Sequence, residues 1–100
     1  MLYAIVTDDV PGSLPKRATA RAAHMERMSE MQSAGRLVIS GPCPAIDSHD
    51  PGPAGLSGSI IIGEFESLEA AQAWIDADPY VAAGVWSKVT VRPFRKGFPK

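Results

Sequence analysis

Residues 16–35 read Lys16-Arg17-Ala18-Thr19-Ala20-Arg21-Ala22-Ala23-His24-Met25-Glu26-Arg27-Met28-Ser29-Glu30-Met31-Gln32-Ser33-Ala34-Gly35, and the rest of the chain is organised around them. An α-helix turns about 100° per residue, so Arg17, Arg21 and His24 fall within about 60° of one another. Two guanidiniums and an imidazole therefore share one narrow stripe, which continues as Met28 and Met31. A solvated charged face does not ordinarily run out into methionines. The spacing predicts one helix over 16–35 whose basic end looks into a partly enclosed pocket. Ser13 is the expected N-cap, Pro15 is tolerated in the first turn, and Gly35 supplies the left-handed residue that ends the helix. A second stripe, Ala18, Ala22, Met25, Ser29 and Gln32, is small enough to lie against a sheet.

On the N-terminal side, Leu2 to Asp8 is short and apolar and stops at Asp9-Val10-Pro11-Gly12, so it reads as a strand and a turn. On the other side, Arg36 to Cys43 is a second strand. Residues 44–56 collect most of the breakers and read as a loop, placed to serve as a lid over a site. Ser57 to Glu66, with Ile60-Ile61-Ile62 at its centre, is the third strand. Ser67 caps a second helix that runs to Asp76 and buries Leu68, Ala71, Trp74 and Ile75. Asp78-Pro79 ends it, because a residue before proline is pushed out of the α region. Val85 to Phe94 is the fourth strand.

The order is βαββαβ, the split-βαβ pattern of a ferredoxin-like α+β fold, with two helices on one face of a four-stranded antiparallel sheet. Residues 1–100 are expected to form a single domain. Leu2, Ala4 and Val6 point one way while Tyr3 and Ile5 point the other, and Ile60 and Ile62 oppose Ile61 and Phe65. A sheet with one wet face alternates apolar with polar, whereas this one is apolar on both. A second copy of the chain is the simplest cover, so a face-to-face homodimer is expected.

A formal net charge of −1 on 100 residues leaves no basic excess to neutralise phosphates, which argues against nucleic acid as the partner. With 45% hydrophobic and 21% charged residues the chain has a globular composition, and no apolar run reaches the length of a membrane span. The first residues lack the basic leader of a signal peptide, and Cys43 is the sole cysteine; both point to the cytoplasm. His24, His49 and Cys43 have no metal-ligand spacing, and no phosphate-loop pattern is present, so neither metal nor cofactor is expected.

The chemistry concentrates on a few side chains. His24 is the one histidine inside a regular element, and an imidazole suits proton transfer. Asp78, at the exit of the second helix, is the carboxylate best placed to turn inward and fix its tautomer. Arg17 and Arg21 carry the planar fork that holds a carboxylate or phenolate. Ser40 can donate to a ligand, and Gly41 allows close approach where the second strand kinks. From the residues alone, an ordinary helix histidine and a solvated arginine face remain the alternatives.

Taken in order, Met1-Leu2-Tyr3, Arg17, Arg21-Ala22-Ala23-His24, Gly35-Arg36-Leu37, Ser40-Gly41-Pro42, Gly55-Leu56-Ser57-Gly58-Ser59, Phe65 to Ala71 and Ala77-Asp78-Pro79-Tyr80 resemble the YciI-like (YCII-related) family over nearly the whole chain. The resemblance implies a dimeric ferredoxin-like α+β barrel and an active site centred on a histidine–aspartate pair, carried here by His24 and Asp78. The family resembles muconolactone isomerases in fold, and some members are linked to dehydrochlorination of hydroxylated aromatic rings. Ser40 departs locally, since alanine is also usual there. Two functions follow as expectations. One is a cofactor-free enzyme acting by elimination, isomerisation or hydrolysis on a small anionic substrate. The other is a non-catalytic dimeric module that binds a metabolite or a protein.

Overall fold

Every strand pairs antiparallel with its neighbours, although consecutive strands are mostly not adjacent. In the computed structural model, which describes residues 1–100, the chain runs β1 (Leu2–Asp9), α1 (Leu14–Ser33), β2 (Leu37–Pro44), β3 (Leu56–Glu64), α2 (Leu68–Asp76), α3 (Pro79–Ala82) and β4 (Trp86–Phe94). The sheet order is β2-β3-β1-β4. Helix α1 carries the chain from β1 to β2 over β3, and α2 with α3 carries it from β3 to β4 over β1. This is the expected ferredoxin-like arrangement, with one addition. Asp78-Pro79 does not simply stop a helix; it starts α3, with Asp78 as N-cap and its carboxylate accepting from the Tyr80 amide. Proline at the first position of a helix costs nothing, because that N–H would have no partner anyway.

The core lies between the helices and one sheet face. Tyr3 and Ile5 of β1 and Ile61 of β3 meet Met28 and Met31 of α1, Ala71 and Ile75 of α2, and Phe65. In α2 the expected Ala71 and Ile75 are buried and Trp74 packs against the core, but Leu68 is exposed at the helix's first turn. Helix α1 ends as expected at Gly35, which has φ of 70°. The Arg36 and Gly35 amides reach back to the Met31 and Gln32 carbonyls, closing the last turn in a Schellman pattern.

Two expectations about α1 are corrected. Ser13 occupies the N-cap position, but its hydroxyl caps nothing; it donates to Asp9 Oδ2 at 2.6 Å. The small stripe Ala18, Ala22, Met25, Ser29 and Gln32 is exposed, while Arg17, His24, Met28 and Met31 face the sheet. The basic stripe can turn inward because buried carboxylates meet its charges there, which no helical periodicity reveals.

Residues 45–55 close on themselves through a bond from the Ala45 amide to the Gly55 carbonyl, with a 3-10 turn at Gly52–Ala54. The register of β3 on β1 is tight at Gly58, opposite Asp8. A Cβ there would sit 1.9 Å from the Thr7 carbonyl oxygen. Backbone cannot give way as a side chain can, so Gly58→Ala is expected to lose about 3 kcal/mol or more of stability. A urea titration of the variant against the wild type measures it.

Candidate functional site

The inward stripe of α1 forms one wall of a cavity of about 520 Å³, open to solvent on one side. Arg17, Arg21, His24 and Met28 line it from α1, Ser40 and Gly41 from β2, Ser59 from β3 and Tyr80 from α3. Five of the six expected site residues thus share one space. The sixth, Asp78, lies behind His24, its carboxylate wholly inaccessible.

His24 Nδ1 is 3.0 Å from both Asp78 oxygens. The same carboxylate accepts from Arg27 Nη1 at 3.1 Å and from the Tyr80 amide at 2.9 Å. Arg27 also donates to the Trp74 carbonyl at 2.7 Å and lies over the Trp74 ring, so it is held in place. Burial, the largest single influence on Asp78, opposes its ionisation. The hydrogen bonds from His24 and Tyr80 and the charges of His24 and Arg27 together outweigh it, and the pKa falls below the ordinary 3.8. An ionised carboxylate only accepts, so Nδ1 carries the proton and donates. Nε2 has no partner within the chain, which leaves its lone pair free in the neutral ring.

The two arginines differ. Arg17 Nε and Nη2 grip the Asp9 carboxylate at 2.7 and 3.0 Å, and Nη2 also reaches the Gly58 carbonyl and Ser59 Oγ. Its charge is neutralised inside the protein. Arg21, one turn on, is exposed and has no ion-pair partner. It is the cation left for a ligand. Ser40 Oγ points to Met28 Sδ at 3.4 Å, a weak bond that a ligand can replace. At Gly41 an added Cβ would meet nothing within 4 Å, so packing does not demand a glycine. Of residues 44–56, expected as a lid, only Leu56 lines the cavity, so this loop does not sit over it.

Four participants carried no role from the sequence. Tyr80 stacks on His24 at 4.1 Å with rings 12° apart, and Trp86 meets both edge-on. Burial raises the Tyr80 phenol above its ordinary 10.0, against the pull of Arg17 and Arg21, so it stays protonated at neutral pH and can donate. Asp9 reads as part of a turn in the sequence, and Arg27 draws no reading there. The spacing of Arg27, three residues after His24 and so on the same side of the helix, was the one available signal. No three His, Cys, Asp or Glu side chains come together as a metal site would require.

A carboxylate whose pKa falls on folding stabilises the protein above its unfolded value, and that contribution disappears as pH drops through the folded value. The wild type is therefore expected to exceed Asp78→Asn by about 2–3 kcal/mol near neutral pH. The gap should close below the ordinary carboxylate value of 3.8. Denaturant titrations of both proteins across the acid range check it.

Comparison with known proteins agrees with this fold. The chain is 58% identical to Protein YciI of Escherichia coli over 98 residues, covering 98% of this chain and 100% of that one. A Haemophilus influenzae protein is 46% identical, with the same coverage of each. Among solved structures, the chain resembles the 5-chloro-2-hydroxyhydroquinone dehydrochlorinase TftG of Burkholderia phenoliruptrix, in complex with 2,5-dihydroxybenzoquinone. That match has a TM-score of 0.84 and 27% identity over 97% of this chain and 96% of the other. Residues 1–95 match the model of the YCII-related domain. With the fold, the full-length likeness and the domain match in agreement, the chain belongs to the YCII-related domain family.

Proposed function

We propose that the chain is a small-molecule enzyme that moves a proton on a compact, planar, anionic substrate, His24 acting as base and then acid. The observation that carries this reading is the unpaired Nε2 of His24, at a cavity wall and backed by the buried Asp78, one turn from the unpaired Arg21. In the proposed step Nε2 takes a proton from a substrate hydroxyl. Asp78 accepts from Nδ1 and steadies the imidazolium that forms. Arg21 holds the negative charge, and the neutral Tyr80 hydroxyl is available to donate to a substrate oxygen. Nε2 then returns the proton to a ring carbon, giving the keto tautomer; where that carbon carries chloride, loss of a second hydroxyl proton supplies the electron pair that expels it, leaving a quinone with net loss of HCl. The likeness to a dehydrochlorinase supports that reaction class over isomerisation or hydrolysis. Arg17, expected to share the anion with Arg21, is spent on Asp9 and is left out of this role.

The unit in which this happens is, in the same reading, a cytoplasmic homodimer of single-domain chains. The sheet face away from the helices exposes Val6, Ile39 and Ile60, the last two 61% and 42% accessible. Ile39 lies opposite Ile62, and Ile60 opposite Val6, so these side chains make one apolar area across β2, β3 and β1. Both sheet edges carry prolines, Pro42 and Pro44 in β2 and Pro93 in β4, which discourage growth of the sheet edge to edge. A face-to-face partner buries the apolar area and leaves the cavity on the helix side untouched. No helix is long and apolar enough to cross a membrane.

Chloride release from 5-chloro-2-hydroxyhydroquinone, with 2,5-dihydroxybenzoquinone as the binding probe, tests the chemistry. His24→Asn is expected to retain binding and lose about 10²–10⁴ in kcat. Arg21→Gln is expected to weaken binding about tenfold. Binding without turnover would favour the non-catalytic module, and neither binding nor turnover would sink the proposed substrate class. For the assembly, sedimentation of the wild type is expected to give twice the chain mass, and Ile60→Glu to give a monomer.

A further inference from the structure

Asp9 and Arg17 have no part in the proposed chemistry, yet both are buried at the site, and their bond is the most extensive ion pair in the chain. The Asp9 carboxylate is 1% exposed and receives Ser13 Oγ as well as two bonds from Arg17. Arg17 spends two further bonds on Gly58 and Ser59 of β3. A guanidinium anchored at four points to two strands is fixed in orientation as well as position. What it is fixed against is Tyr80: Cζ lies 5.1 Å from the centre of that ring.

The other neighbour of the ring is His24, at 4.1 Å. Arg17 and His24 are seven residues apart on α1, two turns and about 10.5 Å along the axis. A gap of that size is what one aromatic ring fills when a group packs on each of its faces. A cation over a ring meets the negative face of its π-system and a near-parallel imidazole stacks on it, so the axial separation of Arg17 and His24 argues for one on each face. The layers therefore run guanidinium, phenol, imidazole, with a buried carboxylate at either end: Asp9 on Arg17 and Asp78 on His24.

We propose that Asp9 is a positioning residue. By gripping Arg17 it holds the guanidinium against Tyr80 and Tyr80 against His24, so the imidazole plane is set by the stack while Asp78 sets its tautomer. The clamp explains why an arginine at a cavity wall is given a full internal counter-charge: a free guanidinium would swing toward any anion in the cavity and release the ring. It also ties β1 and β3 to α3 through one side chain, so the imidazole is referenced to the sheet and not to its own helix alone. This goes beyond the proposed reaction, and its readout needs no turnover, so the two stand or fall separately.

The test is the NMR signature of His24 in the wild type, Asp9→Asn and Arg17→Lys, with Tyr80→Leu marking the unstacked imidazole. A ring lying on Tyr80 has its carbon-bound protons shifted upfield. Both clamp variants are expected to move those resonances more than half of the way to their Tyr80→Leu positions, while the Nδ1–H tautomer held by Asp78 persists. Arg17→Lys keeps the charge and loses the fork, so it reads the clamp even where Asp9→Asn does not fold. Wild-type positions retained in either folded variant would overturn the proposal. In the wild type itself, cross-relaxation from the Tyr80 ring to both Arg17 and His24 is expected, and its absence for Arg17 would overturn the stack without any variant.

Discussion

A carboxylate with no solvent contact must be paired or it will not stay ionised, and Asp78 is that carboxylate. Its partners come from everything around it: His24 and Arg27 from α1 and the Tyr80 amide from the start of α3. Because Asp78 is also the N-cap of α3, the route of the backbone between α2 and β4 and the geometry of the imidazole are settled by the same side chain. Remove the helix cap and the histidine loses its partner; remove the histidine and a buried charge loses a donor. This reciprocity ties the site together although it lies at the junction of a long helix and a helix of four residues.

The second consequence concerns charge. Three arginines of α1 lie near the cavity, and the fold gives each a different fate. Arg27 is bound to Asp78 and the Trp74 carbonyl, Arg17 is bound to Asp9, and Arg21 is left unpaired at the mouth. A cavity facing three free guanidiniums would be a general anion trap. With two of them satisfied internally, one cation beside one imidazole remains, which suits a singly charged planar ligand. The methionine and leucine side chains on the remaining wall supply the apolar surface such a ring requires.

Much of this was legible in the chain. Helical spacing put Arg17, Arg21, His24, Met28 and Met31 on one stripe, and turn residues bounded each strand closely enough to read the βαββαβ order. The apolar character of both sheet faces was visible in the alternation of Leu2 to Val6 and of Ile60 to Ile62. Other features were not legible, for definite reasons. Helix α3 has only four residues, too few for any periodicity, so Tyr80 carried no role. The small stripe of α1 looked like the packing face because alanine and serine fit against a sheet. Burying the arginine stripe instead is favourable only with Asp9 and Asp78 opposite it, one far along the chain and the other at the end of a strand that read as a turn.

By itself, then, the sequence determined the order and type of the main elements, the identity of the stripe and the presence of two apolar sheet faces, because these follow from local periodicity and turn chemistry. Only the tertiary structure decided which face of α1 turns inward, which arginine stays free, and that Tyr80 meets both Arg17 and His24. Those outcomes depend on how groups up to 63 residues apart balance buried charge, as between Arg17 and Tyr80. Burial of a charge is favourable or ruinous according to its partner, and partners distant in sequence meet only when the chain has folded.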